Sequence, residues 1–105
     1  MVVRFEKEYL EQLYTNGKCN GKKHRFQPNV VNNYKKCVDY LMSFSNIEQL
    51  FPFRSLNYEV LKGDKKGISS IRINDQYRLE FTVTEESKEP VITVCTILDI
   101  TNHYK

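Results

Sequence analysis

Residues 70–83 read SIRINDQYRLEFTV, and this stretch decides the fold of the 105-residue chain. Apolar side chains alternate with polar ones on both sides of Asn74 and Asp75, which is typical of two antiparallel strands joined by a tight turn. The alternation has a period of two, so each strand has one apolar and one polar face. We therefore predict a β-hairpin whose apolar face lies on the core.

The register of this hairpin follows from keeping its apolar side chains together. A two-residue loop would mix the faces, whereas a three-residue loop over 74–76 pairs Ile71 with Leu79. The same register sets Arg72 directly opposite Arg78 on the polar face, where their repulsion costs on the order of a few tenths of a kcal/mol. An anion bound between the two arginines would remove this repulsion, and so would a diagonal contact with Glu80.

Two amphipathic helices are predicted before the hairpin. Phe5, Tyr9 and Leu13 recur at helical spacing, and Val30 begins a second apolar stripe after Pro28. The predicted elements are a helix over 5–15, an exposed loop over 17–26, a helix over 28–44, an irregular connection over 45–55, a short strand over 58–61, the hairpin, and a last strand over 91–100. Together they predict an α+β fold, with two N-terminal helices packed on a small antiparallel sheet.

The last strand has two predicted faces. Alternation places Ile92, Val94, Leu98 and Ile100 on one side. The other side carries Thr93, Cys95, Ile97 and Asp99, and it continues to Thr101 and His103. We therefore expect Asp99 on the polar wall with the two arginines of the hairpin.

Composition limits the class of protein. Apolar residues make up 40% and charged residues 28%, which suffices for one core, so we expect residues 1–105 to form a single domain. No stretch approaches the roughly 18 consecutive apolar residues of a membrane span, and no signal peptide is visible, so we expect a cytoplasmic protein. The spacing of Cys19, Cys37 and Cys95 supports neither a disulfide framework nor a zinc site, and Cys37 and Cys95 are expected to be buried thiols.

The basic residues are segregated along the chain. Residues 12–38 contain six lysines and arginines and no acidic residue, and residues 62–78 contain five against two. Clustered cations attract phosphate-bearing partners, although a lysine-rich surface also serves solubility alone.

Two further segments could carry chemistry. Residues 61–67 read LKGDKKG, a basic loop between two strands whose glycines permit close approach to a ligand. The chain ends in TNHYK, where His103 offers a side chain that titrates near neutral pH. A histidine in such a position is also commonly just exposed.

The chain resembles the HigB toxins of the RelE/ParE superfamily. This resemblance rests on four segments in order: the LKGDKKG loop, the SIRIN strand, the YRLEF strand and the C-terminal DITNHY. The resemblance spans the chain, helices first and strands last. It implies a ribosome-dependent endoribonuclease that cleaves messenger RNA and is held by a helix-turn-helix antitoxin of the HigA type. No metal or cofactor is expected, because the 2′-hydroxyl of the RNA itself attacks the adjacent phosphorus.

The resemblance also assigns roles to residues. Arg78 would hold the scissile phosphate, while His103 and Tyr104 would share acid-base work and base stacking. Glu59 is a candidate base if its carboxylate lies on the active face. The residues expected to bind RNA are Lys62, Lys65, Lys66, Arg72 and Asn102.

The chain departs from the family pattern at two places. Family members end in aspartate, tyrosine and histidine, whereas here the order is Asn102, His103 and Tyr104; some members also have a histidine at the position of Glu59. The assignment of acid and base to single residues therefore stays open. Two other functions also stay open, a ParE-like inhibitor of DNA gyrase and a non-catalytic RNA- or ribosome-binding module.

Overall fold

The computed structural model describes residues 1–103, apart from the side chains of residues 87 and 88. Its α-helices and strands in chain order are β1 (Val2–Phe5), α1 (Glu8–Asn16), α2 (Pro28–Ser43), β2 (Glu59–Val60), β3 (Ser69–Arg72), β4 (Tyr77–Lys88) and β5 (Val91–Asn102). The strands form one sheet in the order β1-β5-β4-β3-β2. The predicted α+β class, with two helices before most of the sheet, is confirmed.

The hairpin between β3 and β4 has the predicted register. Ile71 pairs with Leu79 and Arg72 with Arg78, and both apolar residues are fully buried. The side chain of Asn74 explains the three-residue loop, because its Oδ1 accepts hydrogen bonds from the backbone N–H of Gln76 at 2.9 Å and of Tyr77 at 2.7 Å. An asparagine side chain that replaces a backbone acceptor in this way is a common way to close a turn.

The first strand was not predicted. The helix expected over 5–15 begins only at Glu8, and Val2–Phe5 instead form β1, which pairs in parallel with β5. The sheet is therefore mostly antiparallel rather than wholly so. The β-branched Val2 and Val3 favour a strand, and the parallel ladder extends to a 2.8 Å hydrogen bond from Glu6 N–H to the carbonyl of Ile97. The helical spacing of Phe5 and Tyr9 was coincidental.

A β-bulge corrects the predicted faces of β5. Glu80 pairs with Asp99, but Phe81 pairs with Ile97, so Leu98 is an extra residue in β5. The side-chain alternation shifts by one residue there. As a result Cys95 and Ile97 lie in the core together with Ile100, although simple alternation had put them on the opposite face.

The helices cover one face of the sheet. Helix α2 extends over almost the predicted range, and its Tyr34 is buried and donates a 2.7 Å hydrogen bond to the carbonyl of Leu10 in α1. Cys37 and Cys95 are buried, as predicted. The opposite face of the sheet carries the polar side chains of Arg78, Glu80 and Thr101.

One edge of β5 continues beyond β1, and there the Tyr9 hydroxyl accepts a 3.2 Å hydrogen bond from the backbone N–H of Ile100. Strand β1 pairs only with residues 94–97 of β5, and within the described chain no strand pairs with residues 98–102 on that side.

None of the helices in residues 1–103 is long and apolar enough to cross a membrane.

Candidate functional site

A groove of about 240 Å³ lies on the sheet face away from the helices. It crosses neighbouring strands, because Glu59 pairs with Ser70, Ser70 with Glu80, and Arg78 with Thr101. We call it the sheet groove. Its lining residues are Glu59, Leu61, Lys65, Ser70, Arg78, Glu80, Thr101, Asn102 and His103.

Five of the residues that the sequence singled out meet in this groove. They come from three parts of the chain that are distant in sequence: the short strand β2, the 61–67 loop with the hairpin, and the end of β5. The five are Glu59, Lys65, Arg78, Asn102 and His103. Carboxylate, cationic and imidazole groups are thereby placed in one depression.

The Arg78 side chain is fixed by the hairpin turn. Its Nη1 donates a hydrogen bond to the carbonyl of Asn74 at 2.6 Å and another to the carbonyl of Tyr77 at 3.1 Å. The guanidinium group is a planar fork that matches the oxygen atoms of a phosphate. Arg78 is half-buried, pairs with Thr101 of β5, and lines the groove.

Glu80 is a groove residue that sequence reasoning considered only as a counter-charge for the arginines. Its carboxylate is largely buried and accepts a 2.7 Å bond from Nζ of Lys65 and a 3.2 Å bond from Oγ1 of Thr101. The signal that could have found it was present, since alternation puts Glu80 on the polar face two residues after Arg78. Its partner Lys65 lies in the 61–67 loop, and this contact could not be predicted from the sequence.

Arg72 lies opposite Arg78 but does not line the groove. Its guanidinium binds the carboxylate of Asp75 in the hairpin loop, and this hydrogen bond holds the pKa of Asp75 below its ordinary value. The repulsion between the two arginines is therefore relieved by Asp75 rather than by Glu80. No anion is needed between them for this reason.

The remaining predicted residues have other positions. Lys62 and Lys66 are exposed in the 61–67 loop and do not line the groove. Tyr104 lies outside the described residues. Among residues 1–103 no three histidine, cysteine, aspartate or glutamate side chains are grouped so that they could hold a metal ion.

The end of β5 is tied to the hairpin loop. Asn102 pairs with Tyr77, and the backbone N–H of His103 donates a 2.6 Å hydrogen bond to the carbonyl of Gln76. His103 is exposed and lines the groove. This hydrogen bond holds the imidazole-bearing residue on the same side of the molecule as Arg78.

Asp99 pairs with Glu80 and so follows the polar face of the sheet, as predicted, but its side chain does not line the groove. Beyond the bulge its carboxylate accepts hydrogen bonds from the Tyr9 hydroxyl of α1 and, at 3.0 Å, from Nζ of Lys7. Burial alone raises the pKa of Asp99, but these hydrogen bonds and the Lys7 charge outweigh it and hold the pKa below its ordinary value. Burial and the bond to Asp99 raise the pKa of Tyr9, which stays a donor.

Comparison with known proteins gives one consistent family. The sequence profile of the HigB-like toxin, described as the RelE-like toxin of the type II toxin-antitoxin system HigB, matches residues 3–93. Toxin HigB-1 of Vibrio cholerae serotype O1 is 34% identical over 83 residues, which are 77% of this chain and 82% of that protein.

Two solved structures share the fold. The YoeB/ParE toxin from Agrobacterium tumefaciens superposes with a TM-score of 0.52 at 17% identity, covering 99% of this chain and 100% of that one. A YafQ mutant from E. coli gives a TM-score of 0.51 at 13% identity, covering 97% and 92%. At these identities the likeness concerns the fold.

Proposed function

The chain belongs to the HigB-type toxins of type II toxin-antitoxin systems, and from that membership we propose that it is a ribosome-dependent endoribonuclease acting on messenger RNA. The observation that carries the proposal is the sheet groove, where Arg78 and Lys65 lie with Glu59 and His103 in one depression. Cleavage of a phosphodiester needs this combination of cations with proton donors and acceptors.

The reaction is a transfer within the RNA strand. The 2′-hydroxyl loses its proton to a base, its oxygen bonds to the adjacent phosphorus, and the bond to the 5′-oxygen breaks as an acid protonates that oxygen. The products are a 2′,3′-cyclic phosphate and a free 5′-hydroxyl. Because the nucleophile belongs to the substrate, the protein supplies positioning, charge and proton transfer.

Each part of this reaction has a candidate residue. The hairpin carbonyls hold the Arg78 side chain, and its proposed role is to bind the scissile phosphate and to stabilise the developing negative charge. Glu59 and His103 are the proposed base and acid within the groove, and Tyr104 remains a predicted third participant. We assign Glu80 a positioning role, because its carboxylate is occupied by Lys65 and Thr101.

The surface around the groove suits RNA. Lys62 and Lys66 are exposed in the loop that borders it, and the acid-free segment 12–38 carries six further basic residues elsewhere on the molecule. Such charges bind phosphates without reading sequence. We propose the ribosome with its messenger RNA as the substrate, an antitoxin of the HigA helix-turn-helix type as the partner, and the cytoplasm as the location.

The test uses purified ribosomes programmed with a defined messenger RNA and the purified toxin. We expect cuts within the reading frame that carry 2′,3′-cyclic phosphate ends, no cuts in the same RNA without ribosomes, and cleavage slowed by roughly 100-fold or more with the Arg78→Ala variant. Inhibition of DNA gyrase supercoiling without RNA cleavage would replace the proposal with a gyrase inhibitor. Ribosome binding with neither activity would replace it with a non-catalytic module.

A further inference from the structure

A second and larger cavity, of about 610 Å³, lies next to the sheet groove. We call it the edge pocket, because it sits where β5 continues beyond the end of β1. Lys65, Thr101 and Asn102 line both the edge pocket and the sheet groove. A ligand that occupies the groove can therefore extend into the edge pocket without leaving the surface.

Aromatic side chains build one wall of the edge pocket from the 17–26 loop. His24 stacks on Tyr9 with ring centroids 3.6 Å apart and planes 4° from parallel. Phe26 meets Tyr77 edge to face at 5.3 Å. These contacts hold a loop without helix or strand against α1 and β4, so that His24 and Phe26 are presented at the strand edge.

The charges of the edge pocket also suit a nucleotide. Lys23 and Lys65 line it and supply two cations. Its carboxylate, Asp99, is neutralised by Lys7 and bound by the Tyr9 hydroxyl, so it opposes a phosphate less than an unpaired carboxylate would. The lining combines aromatic rings with cations and hydrogen-bonding groups, a combination suited to a base and its phosphate.

We propose that the edge pocket binds the base of an RNA nucleotide next to the scissile phosphate, with that base stacked against His24. One face of the His24 ring is covered by Tyr9, so the base stacks on the opposite face. Stacking on an aromatic ring accepts any base, so the subsite adds affinity and register more than sequence preference. This inference rests on the proposed ribonuclease function, since the neighbouring phosphate is the one held in the sheet groove.

The test measures binding and not cleavage. Fluorescence anisotropy measures the binding of a labelled RNA hexanucleotide and of six versions that each lack one base. All seven RNAs are 2′-O-methylated at every ribose. We expect one abasic position to weaken binding to the wild-type protein about ten-fold, as loss of one stacked base does. In His24→Ala the same abasic position should cost less than two-fold, and His24→Phe should restore the ten-fold penalty.

Lys22→Ala is the matched control, because Lys22 is an exposed neighbour that lines neither cavity and should keep the abasic penalty. If His24→Ala does not fold, Phe26→Leu removes a ring from the same wall and carries the same measurement. The inference is overturned if no single base matters in the wild type, if the RNA does not bind, or if His24→Ala keeps the penalty. Cleavage on ribosomes combined with any of these results means that only the subsite is wrong, whereas absence of cleavage refutes the proposed function itself.

Discussion

The Nζ atom of Lys65 lies 2.7 Å from Oε2 of Glu80, and this ion pair joins the 61–67 loop to the polar face of β4. The two partners differ in exposure, since the Lys65 side chain is 51% accessible and that of Glu80 only 10%. A carboxylate at this depth needs a partner, because a buried charge without one costs free energy. Lys65 is therefore a structural partner of the groove as well as a candidate contact for RNA.

We expect Lys65→Ala to lower the free energy of unfolding by roughly 1–2 kcal/mol. This is less than the full cost of breaking a buried pair, because Lys65 itself is half exposed. Lys66→Ala, one residue away and exposed, should change stability by less than about 0.5 kcal/mol. Urea denaturation of both variants makes the comparison, and the double variant Lys65→Ala with Glu80→Gln should recover part of the loss. Equal stability of the two single variants would contradict the assignment.

Arg78 and Arg72 should differ in their effect on RNA cleavage, although they are directly paired. Removing Arg78 deletes a cation from the groove, so Arg78→Ala should slow cleavage by roughly 100-fold or more. Arg72 is bound to Asp75 outside the groove. Arg72→Ala should therefore slow cleavage less than about ten-fold, and this decrease should come from weaker RNA binding. Single-turnover cleavage on programmed ribosomes separates the two effects. The proposed roles fail if Arg72→Ala is the more damaging variant.

The part of the fold that the sequence predicted is the part governed by local periodicity. The hairpin register followed from keeping Ile71 and Leu79 on one face, and α2 followed from a helical apolar stripe. Strand β1 depends instead on pairing with a segment about ninety residues away, which a short run at the N-terminus does not encode. The extra residue Leu98 could not be read either, because alternation alone gives no sign of a bulge.

The same distinction applies to the candidate site. Arg78 and His103 were found because alternation and chain order put them on one wall. Asp99 keeps the predicted face through its pairing with Glu80, but its carboxylate binds Lys7 and Tyr9 instead of lining the groove, and these contacts depend on the unpredicted path of β1 into α1. Glu80 was undervalued because its partner comes from a loop, and a loop has no periodicity from which a contact can be predicted.

The three thiols should differ strongly in reactivity. Burial raises the pKa of Cys37 to about 12 and that of Cys95 to about 11, so both stay protonated at pH 8 and are shielded from reagent. Cys19 is only half-buried in the 17–26 loop. A brief treatment of the native protein with iodoacetamide should therefore label Cys19 alone, and all three should react in denaturant. Peptide mass mapping checks this, and early labelling of Cys37 would contradict the described packing of α2.

The contribution of Asp99 to stability should depend on pH in a defined direction. Because its pKa is lower in the folded state, the stabilisation is complete above the unfolded-state pKa of about 3.9 and is lost as the pH falls through the folded value. We expect wild type to be more stable than Asp99→Asn by a constant margin between pH 5 and 7. This range begins about one unit above the unfolded-state pKa, so the Asp99 carboxylate is ionised throughout it. The margin should shrink below pH 4 as the carboxylate is protonated and the Lys7 and Tyr9 contacts weaken. Asp64→Asn removes an exposed carboxylate of the 61–67 loop and corrects for the change in net charge. A margin that stays constant down to pH 2.5 in urea titrations would show that Asp99 stabilises the fold without its charge.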